Sequence, residues 1–339
     1  MLLVRRLLCM LLAFCWLVAP MTAFAANEEL SVLFEKAAAE VRSPAQARLE
    51  TGMTWLHPGE SAYFPSVAPE ITPFDEKENT IYPPVNGTFS TTDESVVTVD
   101  EKGLMTAVAE GVATVTYHTG GGDVETAVTV DDEVPTEIAQ NAVTVALREY
   151  YETKKARLPK YNKYAKWYYG KKKEVGWCSV FGIWVANAAG TNPLKKSEAK
   201  EIPDTETLYL REGQVGAQYD GFYALERFGA IPKPGYMVIY ADMKNAYRTT
   251  HIGIVVAVDE LEDGIYRVMT VEGNMSNTVK AYSYLYDSNL ANHMVGKEKG
   301  RKLQWNMREE DKSKQENPLV QYDLHTAHWS VFGFCETWK

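Results

Sequence analysis

Apolar and polar residues alternate along this chain in two rhythms, and the change from one to the other divides it. Leu30, Leu33, Ala37 and Val41 recur at helical spacing and predict one short amphipathic helix in a segment spanning 27–53. From about Thr54 to Val130 the period drops to two. Short runs are separated by turns at Pro58-Gly59, Asn86-Gly87 and Gly120-Gly121-Gly122, which predicts an all-β unit over 54–131. In its clearest strand Val112, Thr114 and Thr116 face away from Ala113, Val115 and Tyr117, the alternation that a sandwich strand with one buried face requires. Asp131-Asp132-Glu133-Val134-Pro135, acidic and proline-containing, then predicts a domain boundary.

The helical period returns beyond it. Thr136 is placed to cap a helix in which Ala139, Val143, Ala146 and Tyr150 share a face. Phe181, Trp184, Val185 and Ala188 share the face of another that begins at Cys178. Strands are predicted at Tyr236 to Tyr240, Thr250 to Val256 and Tyr266 to Val271, with a closing strand from Val331 to Thr337.

The first 26 residues stand apart from both halves. Arg5 and Arg6 precede an apolar run from Leu7 to Val18, short of the roughly 20 residues a spanning helix needs, and Ala23-Phe24-Ala25 follows. This predicts a secretory signal peptide over 1–26, and so a secreted or cell-wall-associated protein with no membrane attachment once it is cleaved. Cys9 and Cys15 leave with that segment. Only Cys178 and Cys335 remain, which excludes a disulfide-stapled scaffold and makes each thiol worth weighing as a reagent. A formal net charge of -10 makes nucleic acid and anionic lipid poor partners. The one basic concentration, Lys171-Lys172-Lys173 with Lys160, Lys163 and Lys166 upstream, is expected to be a solvated loop.

Candidate chemistry lies in the second half. Cys178 falls in the first turn of its helix, where backbone N–H groups favour negative charge and bias a thiol toward thiolate; by itself it is equally well a small core residue. His251 opens a strand whose Ile252, Ile254 and Val256 serve the core, so its own side chain can face a cleft as a base. Glu272 and Asn274 are two apart at a strand end and, in extended chain, point the same way, Glu272 toward orienting the imidazole. Each of these, taken singly, is also an ordinary strand-end polar residue. Trp177 and Tyr169 are candidates for the cleft wall. His57 and His118 are expected to be surface residues.

Two resemblances extend this reading. Gly87 to Val130, with its Thr91 to Ser95 turn, the Asp100 to Gly103 turn, and Gly111 before an alternating strand, resembles the bacterial Ig-like group 2 domain. That implies a β-sandwich acting as a spacer or as an adhesion module for a cell-surface glycan or protein. WCSVFGIWVANAAG, PKPGYMVIYAD, THIGIVVAV and VEGN, in this order, resemble the CHAP domain, the cysteine, histidine-dependent amidohydrolase/peptidase of peptidoglycan hydrolases, over about Thr136 to Lys339. The resemblance implies a papain-like α+β fold with an antiparallel sheet. It makes Cys178 the nucleophile, His251 the general base, Glu272 the third member and Asn274 a further polar residue on the substrate side, beside Trp177, with no cofactor or metal. Peptidoglycan is the implied partner. Two departures stand out: Gly235-Tyr236 where the family has Gly-Asp, and a polar insertion from Asp287 to about His328.

Two other readings compete. The second half is a scaffold without catalysis in a surface-binding protein, or His325 and His328, spaced as His-x-x-His, hold a metal. The presence of nucleophile, base and acid argues against the first, and the lack of a third well-spaced ligand argues against the second.

Overall fold

The computed structural model describes residues 53–64, 87–119, 122–153, 156–203, 206–293, 302–308, 323–324 and 329–339. The expected signal peptide and the 30–41 helix lie outside these residues. Among the described residues no helix is long and apolar enough to cross a membrane.

Among its described residues the Ig-like first half has seven strands, β1 (Met53–Leu56), β2 (Ser61–Tyr63), β3 (Thr88–Thr91), β4 (Val97–Val99), β5 (Leu104–Ala107), β6 (Gly111–Thr119) and β7 (Gly122–Val130). They form a four-stranded sheet in the order β1-β7-β6-β3 and a three-stranded sheet in the order β2-β5-β4. All pairs are antiparallel except β1 with β7. Leu56, Phe64, Val97, Met105, Val115 and Val128 make its core, while Val112, out of phase with them, is 54% exposed. The Asp100 turn holds because its carboxylate accepts from the N–H groups of Lys102 and Leu104, and Gly103 supplies the positive φ of 80° that closes it.

After the boundary come α1 (Glu137–Thr153), α2 (Lys163–Tyr169), α3 (Cys178–Ala188), α4 (Lys196–Ala199) and α5 (Val215–Ala224). Thr136 accepts from Ala139 N–H at 3.4 Å at the start of α1, and Ala139, Val143, Ala146 and Tyr150 are all buried. Met53, Trp55 and Ala127 of the sandwich join the same apolar cluster as Ala142 and Val145 of α1, so the two halves share packing across the boundary.

An eight-stranded sheet completes the second half: β8 (Phe228–Gly229), β9 (Met237–Asp242), β10 (Asn245–Glu262), β11 (Ile265–Met275), β12 (Thr278–Asp287), β13 (Met307–Arg308), β14 (Asp323–Leu324) and β15 (Trp329–Cys335). Its order is β13-β12-β11-β10-β9-β15-β8, with β14 also on β12. Both faces are buried, which is unusual for an antiparallel sheet. Met237, Ile239, Ile252, Ile254, Val271 and Phe332 pack with α1, α3 and α5; Tyr236, Val238, Tyr240, Val268, Tyr284 and Val331 form a second core on the other face.

The polar insertion explains how that second face escapes water. Met307 and Arg308 pair with Tyr286 and Leu285 of β12, while the Asn306 side chain donates to Val331 O at 2.9 Å and accepts from Val331 N at 3.1 Å on β15. One short segment thus touches strands from opposite sides of the sheet, which requires the sheet to curl. Asn292, also buried, adds a bond to Val331 O at 3.0 Å. Two-residue strands carry no alternation, so the sequence offered no sign of this closure.

Candidate functional site

The start of α3 is where the chemistry gathers. Trp177 occupies its N-cap without a side-chain capping bond, and Ser179 Oγ donates outward to Glu212 O at 2.6 Å, so the first-turn N–H groups are left around Cys178. Cys178 is half-buried and unbridged. Burial pushes its thiol up, but the hydrogen bond and charge of His251, with the N–H groups of Ser179 and Cys178 itself, outweigh burial and leave it below the ordinary range.

His251 reaches this thiol from β10. The register between β10 and β9 slips between Thr249 and His251, the kind of irregularity that re-aims a side chain at a site. His251 is 3% exposed. Burial alone lowers its pKa, yet hydrogen bonds and charge from Cys178 and Glu272 raise it on balance, so imidazolium opposite thiolate is the favoured pair. Its Nε2 lies 2.9 Å from Glu272 Oε2. That contact is at hydrogen-bond distance, although the ring N–H is not aimed along it; it is an ion contact with a bent approach, and it leaves Nδ1 as the nitrogen for the thiol. Glu272 is fully buried on β11.

Gly273 sets the distance between helix and sheet. A Cβ there would lie 2.5 Å from Phe181 Cβ and 2.9 Å from Trp177 Cζ3, so only glycine lets the start of α3 seat against β11 beside Glu272.

Two expected roles change. Trp177 is fully buried and stacks on Tyr164 at 5.3 Å, so its ring belongs to the core and presents no surface to a substrate. Asn274 does not follow Glu272 in extended chain: its φ is +66° and the β11–β12 register shifts between Glu272 and Met275. Its Nδ2 instead lies 3.7 Å from where a Cβ on Gly176 would sit, next to the loop that delivers the nucleophile. Tyr169 is half-buried on α2 with Lys173 Nζ 4.4 Å above its ring; Lys171, Lys172 and Lys173 are exposed, but Lys163 and Lys166 of the expected loop lie on α2 instead, Lys163 paired with Glu149. His325 and His328 lie outside the described residues, among which no group of three or more metal-binding side chains occurs.

Sequence reasoning missed the residues around the base. Trp329, at the head of β15, stacks on the imidazole at 5.1 Å, and Tyr240 of β9 does so at 6.0 Å. Tyr240 and Thr270 also bond to Glu272. No local motif marks them, because they arrive from neighbouring strands and only the sheet register brings them together.

Cys335 is buried on β15, and burial pushes its thiol well above the ordinary range. Alkylation of the folded protein is therefore expected at Cys178 and at neutral or lower pH than a free thiol needs, with Cys335 reacting only after denaturation. Peptide mapping after a short iodoacetamide pulse reads this directly; equal labelling of both would contradict it.

Comparison with known families gives one match, a model described as bacterial Ig-like domain (group 2), over residues 76–130. It begins upstream of Gly87 and leaves 131–339 outside it. No curated protein matches the chain.

Proposed function

We propose that this chain is a secreted peptidoglycan hydrolase, an amidase or endopeptidase whose papain-like α+β half works by a Cys178–His251–Glu272 thiol mechanism, with the Ig-like domain as a spacer or wall-binding module. The observation that carries this reading is a half-buried thiol of lowered pKa at a helix start, hydrogen-bonded to a histidine that a fully buried carboxylate holds at 2.9 Å. Cys178 Sγ attacks the amide carbonyl, the C–N bond breaks, and His251 gives its proton to the leaving amine. Water then adds to the thioester carbonyl with His251 taking its proton, and the C–S bond breaks, which releases the acid and restores the thiolate–imidazolium pair. The Cys178 backbone N–H is placed to share in holding the oxyanion.

The test is digestion of purified cell walls by the full mature chain, with mass spectrometry of the released fragments. New amine and carboxyl ends are expected, lost on alkylation and kept with a chelator. Inhibition by the chelator with indifference to alkylation would replace the thiol reading with a metal one.

A further inference from the structure

We propose that Tyr240 and Thr270 are positioning residues for the Cys178–His251 pair: their hydroxyls clamp one oxygen of the Glu272 carboxylate so that the other is held against the imidazole. The proposal rests on the thiol-hydrolase reading only for the use to which the pair is put. Tyr240 Oη donates to Glu272 Oε1 at 2.7 Å and Thr270 Oγ1 donates to the same oxygen at 2.8 Å, while Oε2 faces His251. Tyr284 Oη lies 3.0 Å from Tyr240 Oη. The Tyr240 hydroxyl has one proton and the carboxylate is the stronger acceptor, so Tyr284 is the donor in that contact. The order is then Tyr284 to Tyr240 to Glu272 to His251, drawn from β12, β9, β11 and β10, four strands that lie side by side in the sheet.

Tyr240, Thr270, Glu272 and Tyr284 are all fully buried and His251 nearly so. Water cannot replace a missing donor there at low cost, and a carboxylate freed on one side can turn about its last bond. Two donors on Oε1 prevent that turn. Among the described residues, the titratable groups facing the imidazole besides Glu272 are Cys178 from α3 and Tyr240 from β9, with Tyr284 of β12 behind Tyr240. Lys280, opposite Glu272 in register, lies near the Tyr282 ring at 6.0 Å, and Trp329 covers the imidazole without titrating.

The experiment is inactivation of the full chain by iodoacetate across pH. This anionic reagent needs the thiolate and is drawn in by the imidazolium, so its rate forms a bell whose alkaline limb marks loss of the His251 proton. Without a donor Oε2 turns away from the imidazole and stabilises its proton less, so the limb moves to lower pH; a limb that moves to higher pH, as a carboxylate made merely more basic would produce, overturns the clamp. Tyr240→Phe and Thr270→Val are each expected to move it by about one unit, the equivalent of one charge-assisted hydrogen bond. Both together should move it further, and Tyr284→Phe less, since it acts only through Tyr240. On cell walls both variants should lose kcat with KM held. Thr270→Val carries the test if Tyr240→Phe fails to fold. A parent bell that stays in place in the folded variants overturns the clamp alone; a parent with no bell removes the ion pair, and both readings with it.

Discussion

Cys178→Ala is expected to reduce cell-wall hydrolysis by at least about 10⁴-fold, because acyl transfer at this site has no second nucleophile to fall back on. Its thermal midpoint should stay within a few degrees of the parent, since a half-buried thiol contributes little packing. His251→Ala should abolish hydrolysis equally and yet behave differently as a protein. The imidazolium faces a fully buried carboxylate at 2.9 Å, so its removal breaks a buried ion contact, a change that typically costs about 3–5 kcal/mol. The two variants therefore need separate controls, with unfolding midpoints read beside the rate of wall digestion. Glu272→Gln should keep an activity between these two variants and the parent: an amide can still orient the ring but cannot stabilise its charged form. A Cys178→Ala protein that digests walls at the parent rate would end the enzyme reading.

The parts of this molecule legible in its sequence are those fixed by local pattern. The β6 alternation announced its buried face, Ala139, Val143, Ala146 and Tyr150 announced the inner face of α1, and Cys178 could be assigned to a first helical turn from the spacing of Phe181, Trp184 and Val185. The thiol could be named because it opens α3; the histidine and the glutamate, expected at the mouth and the end of strands, lie inside β10 and β11 and are buried. What the sequence could not show depends on register. Whether Asn274 follows Glu272 is decided by one left-handed residue, and whether Trp177 faces a cleft or the core is decided by Tyr164, thirteen positions away on another helix. The tyrosines behind Glu272 look like ordinary strand residues until four strands are laid side by side, and the insertion after Asp287 looks like a loop until Asn306 is seen to bond to Val331.

Gly273→Ala should be the most damaging single-methyl change in the site, although no side chain of chemical interest is touched. Its φ is not in the left-handed region, so alanine meets no backbone strain, and the whole effect is steric. The added carbon would sit 2.5 Å from Phe181 Cβ and Cγ, where unstrained carbon atoms keep about 3.5–4.0 Å. Phe181 Cβ is one bond from the α3 backbone and cannot swing aside, so the helix itself must retreat by about 1 Å. Overpacking of that kind costs about 1–3 kcal/mol. The larger consequence is kinetic, because α3 carries Cys178 while β10 and β11 carry His251 and Glu272. A gap of that size between nucleophile and base is expected to lower kcat about 10²-fold, and to slow alkylation of Cys178 at neutral pH as the thiol drifts from the imidazolium that ionises it. Wall digestion and alkylation rates, measured well below the unfolding midpoint of the variant, separate this displacement from simple loss of folded protein. If both rates match the parent, the seat of α3 on β11 does not set the geometry of the pair.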